Sequence, residues 1–401
     1  MPPTIGGMRQ LRTALETSPV EEILVRLGEL APIFRQSAGE AERLARLPKQ
    51  VTSALLRYGL FRLWVPKKCA GFELDLPEAL EVFESAARLD GSTGWSVMVG
   101  SFGGLFASHL DDATANTVFA RPETVLASAI VPDGRAVRVA GGYRVSGCWH
   151  YATGAHYATA FMMNCIVMEG GTLTFGENGR PITRALILDS SQVSILPVWD
   201  ASGLRGTGSD DFEVRDVFVP EQRSFSLTHP APREPGALYR VPLTTAMELS
   251  ITAVALGIVR HALDDFANLA RGKKASGQGT ALADDPGVQA RYAEARVTWG
   301  LIKAGMDSLA RRLWQDALAN RTLSNTELSE VTASCALSVN KLRAAVSELI
   351  ALSGMTAIQP DSELARAWRD LQALAAHGAV SPRHLTKIGA TLLAVSEPLA
   401  H

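Results

Sequence analysis

The spacing of the apolar residues changes twice along this chain, and that double switch constrains the fold more than any single motif. Up to about residue 120, apolar residues recur at helical intervals, as in Ile23, Leu24, Leu27, Leu30 and Ile33. From about Val125 the pattern becomes short apolar runs divided by turn residues such as Pro132-Asp133-Gly134 and Gly141-Gly142. Runs at 124–131, 136–139, 158–168, 185–188, 193–197 and 212–219 read as strands. After a Pro-rich connector (Pro230, Pro232, Pro235) the helical interval returns and holds to the C-terminus. Asp285-Pro286 is a helix start, an acidic cap followed by proline. It leads a stripe of Val288, Tyr292, Ala295, Trp299, Ile302, Met306, Leu309 and Leu313. Ser324-Asn325-Thr326-Glu327 is a capping box that opens a second long helix, and Gly354 is its expected stop. The pattern predicts an α+β chain: an α-helical domain over 1–123, a β domain of barrel or sandwich type over 124–233, and a helical bundle over 234–401.

With 47% hydrophobic residues in 401, such a chain can bury a large core. Lys and Arg number 39 against 41 Asp and Glu, a net charge of −2, which gives nucleic acid or an anionic membrane no electrostatic footprint. The expected partners are a small molecule and further copies of the chain, because long apolar helix stripes favour an oligomer. Cys69, Cys148, Cys165 and Cys335 lie far apart with no CxxC pair, so neither disulfides nor a metal site is expected. The N-terminus lacks the apolar core of a signal peptide and no stretch reads as a membrane span, so a cytoplasmic location is expected. The glycines at 203–208 do not follow GxGxxG spacing or open a βαβ unit, so no site for NAD(P)H is expected.

Three segments carry a resemblance. Gly147-Cys148-Trp149-His150-Tyr151-Ala152-Thr153-Gly154, then Gly203-Leu204-Arg205-Gly206-Thr207-Gly208-Ser209-Asp210, then Val217-Phe218-Val219-Pro220, resemble the flavin-binding β domain of the acyl-CoA dehydrogenase superfamily. Its fold has an N-terminal helical domain, a middle β domain and a C-terminal four-helix bundle. Within it, dehydrogenases carry a glutamate base after an Arg-Asp pair. Here Trp368-Arg369-Asp370-Leu371 is followed by Ala375-Ala376-His377-Gly378. Arg-Asp with a following histidine resembles the oxygenase components of two-component flavin monooxygenases.

The resemblance implies a reduced FAD or FMN delivered by a separate NAD(P)H:flavin reductase, O2 as co-substrate, a C4a-hydroperoxide, and hydroxylation of a small aromatic substrate such as a phenol or indole by a homotetramer. His377 would be the acid–base group and Thr153 would reach the flavin N5. Other implied flavin contacts are Trp149, Ser128, Ala129, Thr207, Ser209, Arg271 and Arg369. His109, Trp95 and Phe106 would face the substrate. The alternatives are an amino-sugar N-oxygenase of the same fold, or an acyl-CoA dehydrogenase or oxidase with Glu348 or Glu363 as a displaced base.

Overall fold

The computed structural model describes residues 18–227, 232–274 and 281–394, in which helices, a sheet and helices follow one another. The N-terminal residues read for a signal peptide, and Pro230 of the connector, lie outside the described residues. The first group of helices comprises α1 (Pro19–Leu44), α2 (Lys49–Arg57), α3 (Leu76–Leu89), α4 (Gly91–Phe102) and α5 (Asp112–Phe119). Ser18 and Glu21 form a capping box at the start of α1, and Asp75 and Glu78 form another before α3. The α1 stripe faces inward through Ile23, Leu27, Leu30 and Phe34, whereas Ile33 is 36% exposed. With 3.6 residues per turn, the four-residue step from Leu30 stays on the buried side and the three-residue step leaves it.

The sheet contains β1 (Leu126–Val139), β2 (Gly142–Ala152), β3 (Ala160–Glu169), β4 (Thr172–Leu173), β5 (Thr183–Asp189), β6 (Ser194–Leu196), β7 (Asp210–Pro220) and β8 (Ser224–Phe225). Its order is β6-β7-β2-β1-β3-β5-β8, with β4 paired to β3. All neighbours are antiparallel except β1 and β3. One expectation is corrected here and one strand is added. Pro132-Asp133-Gly134 is no turn: β1 runs through it, and its register against β3 shifts between Ala129 and Gly134. A Cβ on Gly134 would stand 2.0 Å from the Trp149 ring, so this irregularity makes room for an indole beneath the strand. The segment holding Trp149 is itself a full strand, β2.

The bundle comprises α6 (Leu243–Gly272), α7 (Pro286–Leu318), α8 (Asn325–Ser353), α9 (Glu363–Ala375) and α10 (Arg383–Ala394). The Asp285 carboxylate accepts from the N–H groups of Gly287 and Val288, Ser324 and Glu327 close their capping box, and Gly354 ends α8 at φ +57°. Among the described residues α6 is long and apolar enough to cross a membrane by length and composition, although Glu248 and Arg260 leave it without a run of about 18 uncharged apolar residues. An 18-residue window of it has mean hydropathy 1.4, and 78% of that window is buried inside the protein. An all-round apolar helix is what the centre of a bundle requires. One core joins the helices and a second fills the β domain, around Trp149, Phe161 and Phe212.

Candidate active site

Three elements, one from each part of the chain, meet at Trp95. This residue sits one turn into α4, whose N-terminus is capped by Asp90 through the Thr93 N–H. The Trp95 indole N–H donates to Thr153 Oγ1 at 3.0 Å, just past the end of β2. Thr153 Oγ1 lies 2.8 Å from Ser209 Oγ, which lies 2.7 Å from Thr207 Oγ1, which donates to the Leu204 carbonyl at 2.8 Å. The His377 ring, just past α9, stands 5.8 Å from the Trp95 ring. Thr153, Ser209, Thr207 and Trp95 are all buried.

His377 is held in one tautomer. The Ala379 N–H donates to Nδ1 at 3.2 Å, so Nδ1 is an acceptor and the neutral ring carries its proton on Nε2. Burial lowers the pKa of His377 from its ordinary value, which keeps the ring neutral at pH 7. The expected acid–base role through titration near neutrality is thereby narrowed: this histidine is a neutral Nε2–H donor.

Asp370, the second residue of the Arg-Asp pair, organises the junction from beneath. Its Oδ1 accepts the Leu204 N–H at 2.6 Å. Its Oδ2 lies where a Cβ on Gly91, the first residue of α4, would approach to 2.5 Å. Burial first, and the neighbouring Asp90 second, push the Asp370 carboxyl up to about 8. A Cβ on Gly203 would meet the Arg369 carbonyl oxygen at 2.0 Å, so the 203–204 backbone docks directly on α9. Sequence reasoning named Arg369 as a flavin contact and gave Asp370 no role beyond its place in the pair. The signal that Asp370 matters was its place in that pair beside a segment with glycines at 203, 206 and 208.

The other expected site residues divide. Trp149 is corrected: it is fully buried, its N–H donates to the Asn164 carbonyl at 2.8 Å, and it stacks on Phe212 at 5.3 Å, leaving no surface for a ligand. Phe106 is corrected likewise, being 0% exposed between Phe102 and Phe225. Ser128 and Ala129 lie on β1 opposite Met162 and Met163, with Ser128 partly exposed. The Arg369 guanidinium pairs with Glu42 at 2.8 Å. Arg271, exposed at the end of α6, donates to Asn268 at 3.1 Å.

His109 sits elsewhere, in the short helical turn after α4, stacked on Phe225 at 5.3 Å. Its Nε2 is buried without a hydrogen-bond partner among the described residues, and burial lowers its pKa. It lines a cleft of about 320 Å³ with Asp111, Arg184, Glu221, Phe225 and Arg233, and His377 is not part of that lining. Neither candidate replacement base stands at the Trp95 junction: Glu348 is exposed on α8, and Glu363 is the first residue of α9, 3.6 Å from His261.

Residues 249–382 match the family model described as acyl-CoA dehydrogenase, C-terminal domain. The chain is 31% identical to indole-3-acetate monooxygenase of Pseudomonas putida over 356 residues, 86% of each chain. It is 29% identical to the flavin-dependent monooxygenase oxygenase subunit HsaA of Mycobacterium tuberculosis, over 92% of this chain and 94% of that one. Its fold matches the solved structure of XiaF from Streptomyces, in complex with FADH2 and glycerol, with a TM-score of 0.87, 24% identity, and coverage of 95% of this chain and 97% of that one. The chain therefore belongs to the flavin-dependent monooxygenases, as an oxygenase component built on the acyl-CoA dehydrogenase fold and dependent on reduced flavin.

Proposed function

We propose that this oxygenase hydroxylates a small aromatic substrate with reduced FAD supplied by an NAD(P)H-dependent reductase, and that it works as a tetramer. The observation that carries the reading is the junction of buried Trp95 and Thr153 with half-buried His377, where all three parts of the chain place a polar group against an aromatic wall. These groups fit a flavin ring. Thr153 Oγ1 accepts from Trp95 and contacts Ser209, which leaves one lone pair uncommitted, and His377 Nε2–H has no partner among the described residues. One acceptor and one donor suit a ring edge that alternates N–H and carbonyl groups.

When bound, the reduced flavin supplies the electrons that activate O2. Thr153 would accept from the N–H at N5, and His377, kept neutral by burial, would offer its Nε2–H to negative charge developing on oxygen. Trp95 excludes water from one side and anchors Thr153 through its N–H. His109 serves the substrate's polar group from the neighbouring cleft, since its buried Nε2 lacks a partner among the described residues. An aromatic substrate is supported by the relative that acts on indole-3-acetate, and FAD by the FADH2 complex of XiaF. The tetramer is supported by Val297 and Leu301, 60% and 72% exposed one turn apart on α7, an apolar strip suited to another copy.

The test is anaerobic premixing of the protein with reduced FAD or FMN, followed by mixing with oxygenated buffer in stopped flow. A transient absorbance that outlives free reduced flavin, coupled to oxygen insertion when indole-3-acetate or a phenol is added, is expected with FAD. Immediate reoxidation with both flavins, together with bleaching of bound oxidised flavin by an acyl-CoA, would overturn the reading.

A further inference from the structure

We infer that the hydroxyls of Thr153, Ser209 and Thr207 form a one-way hydrogen-bond chain that makes this site discriminate reduced from oxidised flavin. The inference rests on the reading that Thr153 faces N5. The direction of the chain follows from its far end. The Leu204 carbonyl carries no proton, so Thr207 Oγ1, 2.8 Å away, must donate to it. With its only proton spent there, Thr207 can only accept from Ser209 at 2.7 Å. Ser209 has then spent its own proton, and the 2.8 Å contact with Thr153 must be Thr153 donating to Ser209. Any other assignment leaves two lone pairs facing each other inside a buried site, since Thr207 and Ser209 are 1% and 5% exposed. At the near end, the Trp95 N–H occupies one of the Thr153 lone pairs.

Thr153 is therefore left with one lone pair and no proton for a ligand. Reduced flavin presents an N–H at N5 and is accepted there. Oxidised flavin presents a lone pair at N5 and meets a lone pair. Binding oxidised flavin with a good N5 contact requires Thr153 to turn its proton away from Ser209, which breaks one buried hydrogen bond. A loss of that size corresponds to about 10-fold in the ratio of dissociation constants. The backbone prevents an easy escape: Thr153 lies between Tyr151 at φ +64° and Gly154 at φ +78°, and the Gly154 N–H is tied to the Thr207 carbonyl at 3.0 Å. Ser209 and Thr207 are thus positioning residues that act on the flavin through Thr153. A separate reductase gives the discrimination a purpose, because the oxygenase must capture reduced flavin from a pool that also holds the oxidised form.

The experiment is anaerobic equilibrium titration of wild type, Ser209→Ala, Thr207→Val and Thr153→Ala with oxidised and reduced flavin, read by fluorescence and absorbance and needing no turnover. Ser209→Ala removes the acceptor that holds the Thr153 proton. Thr207→Val frees the Ser209 proton to turn back to Thr153. Both variants are expected to lower the ratio of oxidised to reduced dissociation constants by about 10-fold. The midpoint potential of bound flavin should fall by the equivalent of about 30 mV for a two-electron couple. A purely structural defect would weaken both redox forms together. If Thr153→Ala weakens reduced flavin while both other variants keep the wild-type ratio, the inference is overturned and the placement of Thr153 stands. If Thr153→Ala leaves both affinities unchanged, that placement fails and takes the inference with it.

Discussion

Replacing Asp370 by asparagine should make this protein more stable at pH 7, against the usual rule that changing a fully buried polar residue costs stability. The carboxyl is 1% exposed, accepts from Leu204 and lies close to Asp90. Its pKa is raised from 3.8 to about 8 in the folded chain. The folded value lies above the unfolded one, so the stability linked to this group is complete below pH 3.8 and is lost as the pH rises to about 8. At pH 7 the unfolded chain gains by ionising Asp370 while the folded chain cannot. About 3 pH units at roughly 1.4 kcal/mol each gives ~4 kcal/mol. An asparagine side chain in its place has no such ionisation, still offers an oxygen to the Leu204 N–H, and keeps a donor next to the negative Asp90. Asp370→Asn should therefore gain stability at pH 7, up to ~4 kcal/mol less whatever the amide loses in hydrogen-bond geometry. The gain should be small near pH 4, grow to about pH 8 and then level off. Thermal unfolding of flavin-free protein across that range reads it directly. An asparagine variant that melts below wild type at pH 7, or a difference that does not change with pH, would refute the claim that Asp370 is buried with its proton.

Other variants separate the roles of neighbouring groups. His377→Ala should keep the fold and lower product formation by about 10²-fold or more. In wild type, product formation should be flat from pH 6.5 until Asp370 ionises near 8 and should fall on acidification, when protonation of Nδ1 breaks the Ala379 bond; a rise in activity centred near neutral pH would contradict a neutral donor. Trp95→Phe removes the 3.0 Å bond to Thr153 and should weaken reduced flavin by about 1 kcal/mol, or roughly fivefold in titration. Gly203→Ala drives a Cβ into the Arg369 carbonyl and should cost at least ~2 kcal/mol in thermal stability. His109→Leu removes a buried nitrogen that has no partner among the described residues, so the melting temperature should hold or rise while KM for the substrate increases; a lowered melting temperature with unchanged KM would make His109 structural.

Much of the fold was legible because its signals are local. Caps at Asp285 and Ser324, the stop at Gly354 and the change of apolar spacing near 125 each depend on neighbours within a turn or two. Pro132-Asp133-Gly134 misled because the same residues serve a turn or a strand irregularity. What decides is the Trp149 ring packed under Gly134, contributed from another strand. The apolar length of α6 is broken in the sequence by Glu248, which the bundle buries against Thr332 at 2.9 Å. The expectation that Trp149 contacts flavin failed for a related reason, and the contact of Trp95 with Thr153 was not foreseen. Trp149 is four residues away in sequence, but strand alternation turns it into the β core. Trp95 is 58 residues away and arrives through the docking of α4. Single residues of the site could be named from sequence, whereas the pairings that give them their chemistry are made between domains.

That dependence on docking explains why the site sits where all three parts of the chain meet. A histidine kept neutral, a carboxyl kept protonated and a threonine denied a free proton are each unfavourable states on an exposed surface, where water would satisfy or ionise them. Each needs burial, and a single helix or strand cannot bury its own side chains. The α4 N-terminus against Asp370, the 203–204 backbone against Arg369 and the Trp95 N–H on Thr153 are contacts between different parts of the chain. The interactions that hold the parts together are therefore the ones that set the protonation state of every polar group at the junction. Loosening one of them should change chemistry before it unfolds a domain. On this account the Asp370 and Ser209 variants test one principle from two sides: the first changes a proton that the fold confines, the second releases one.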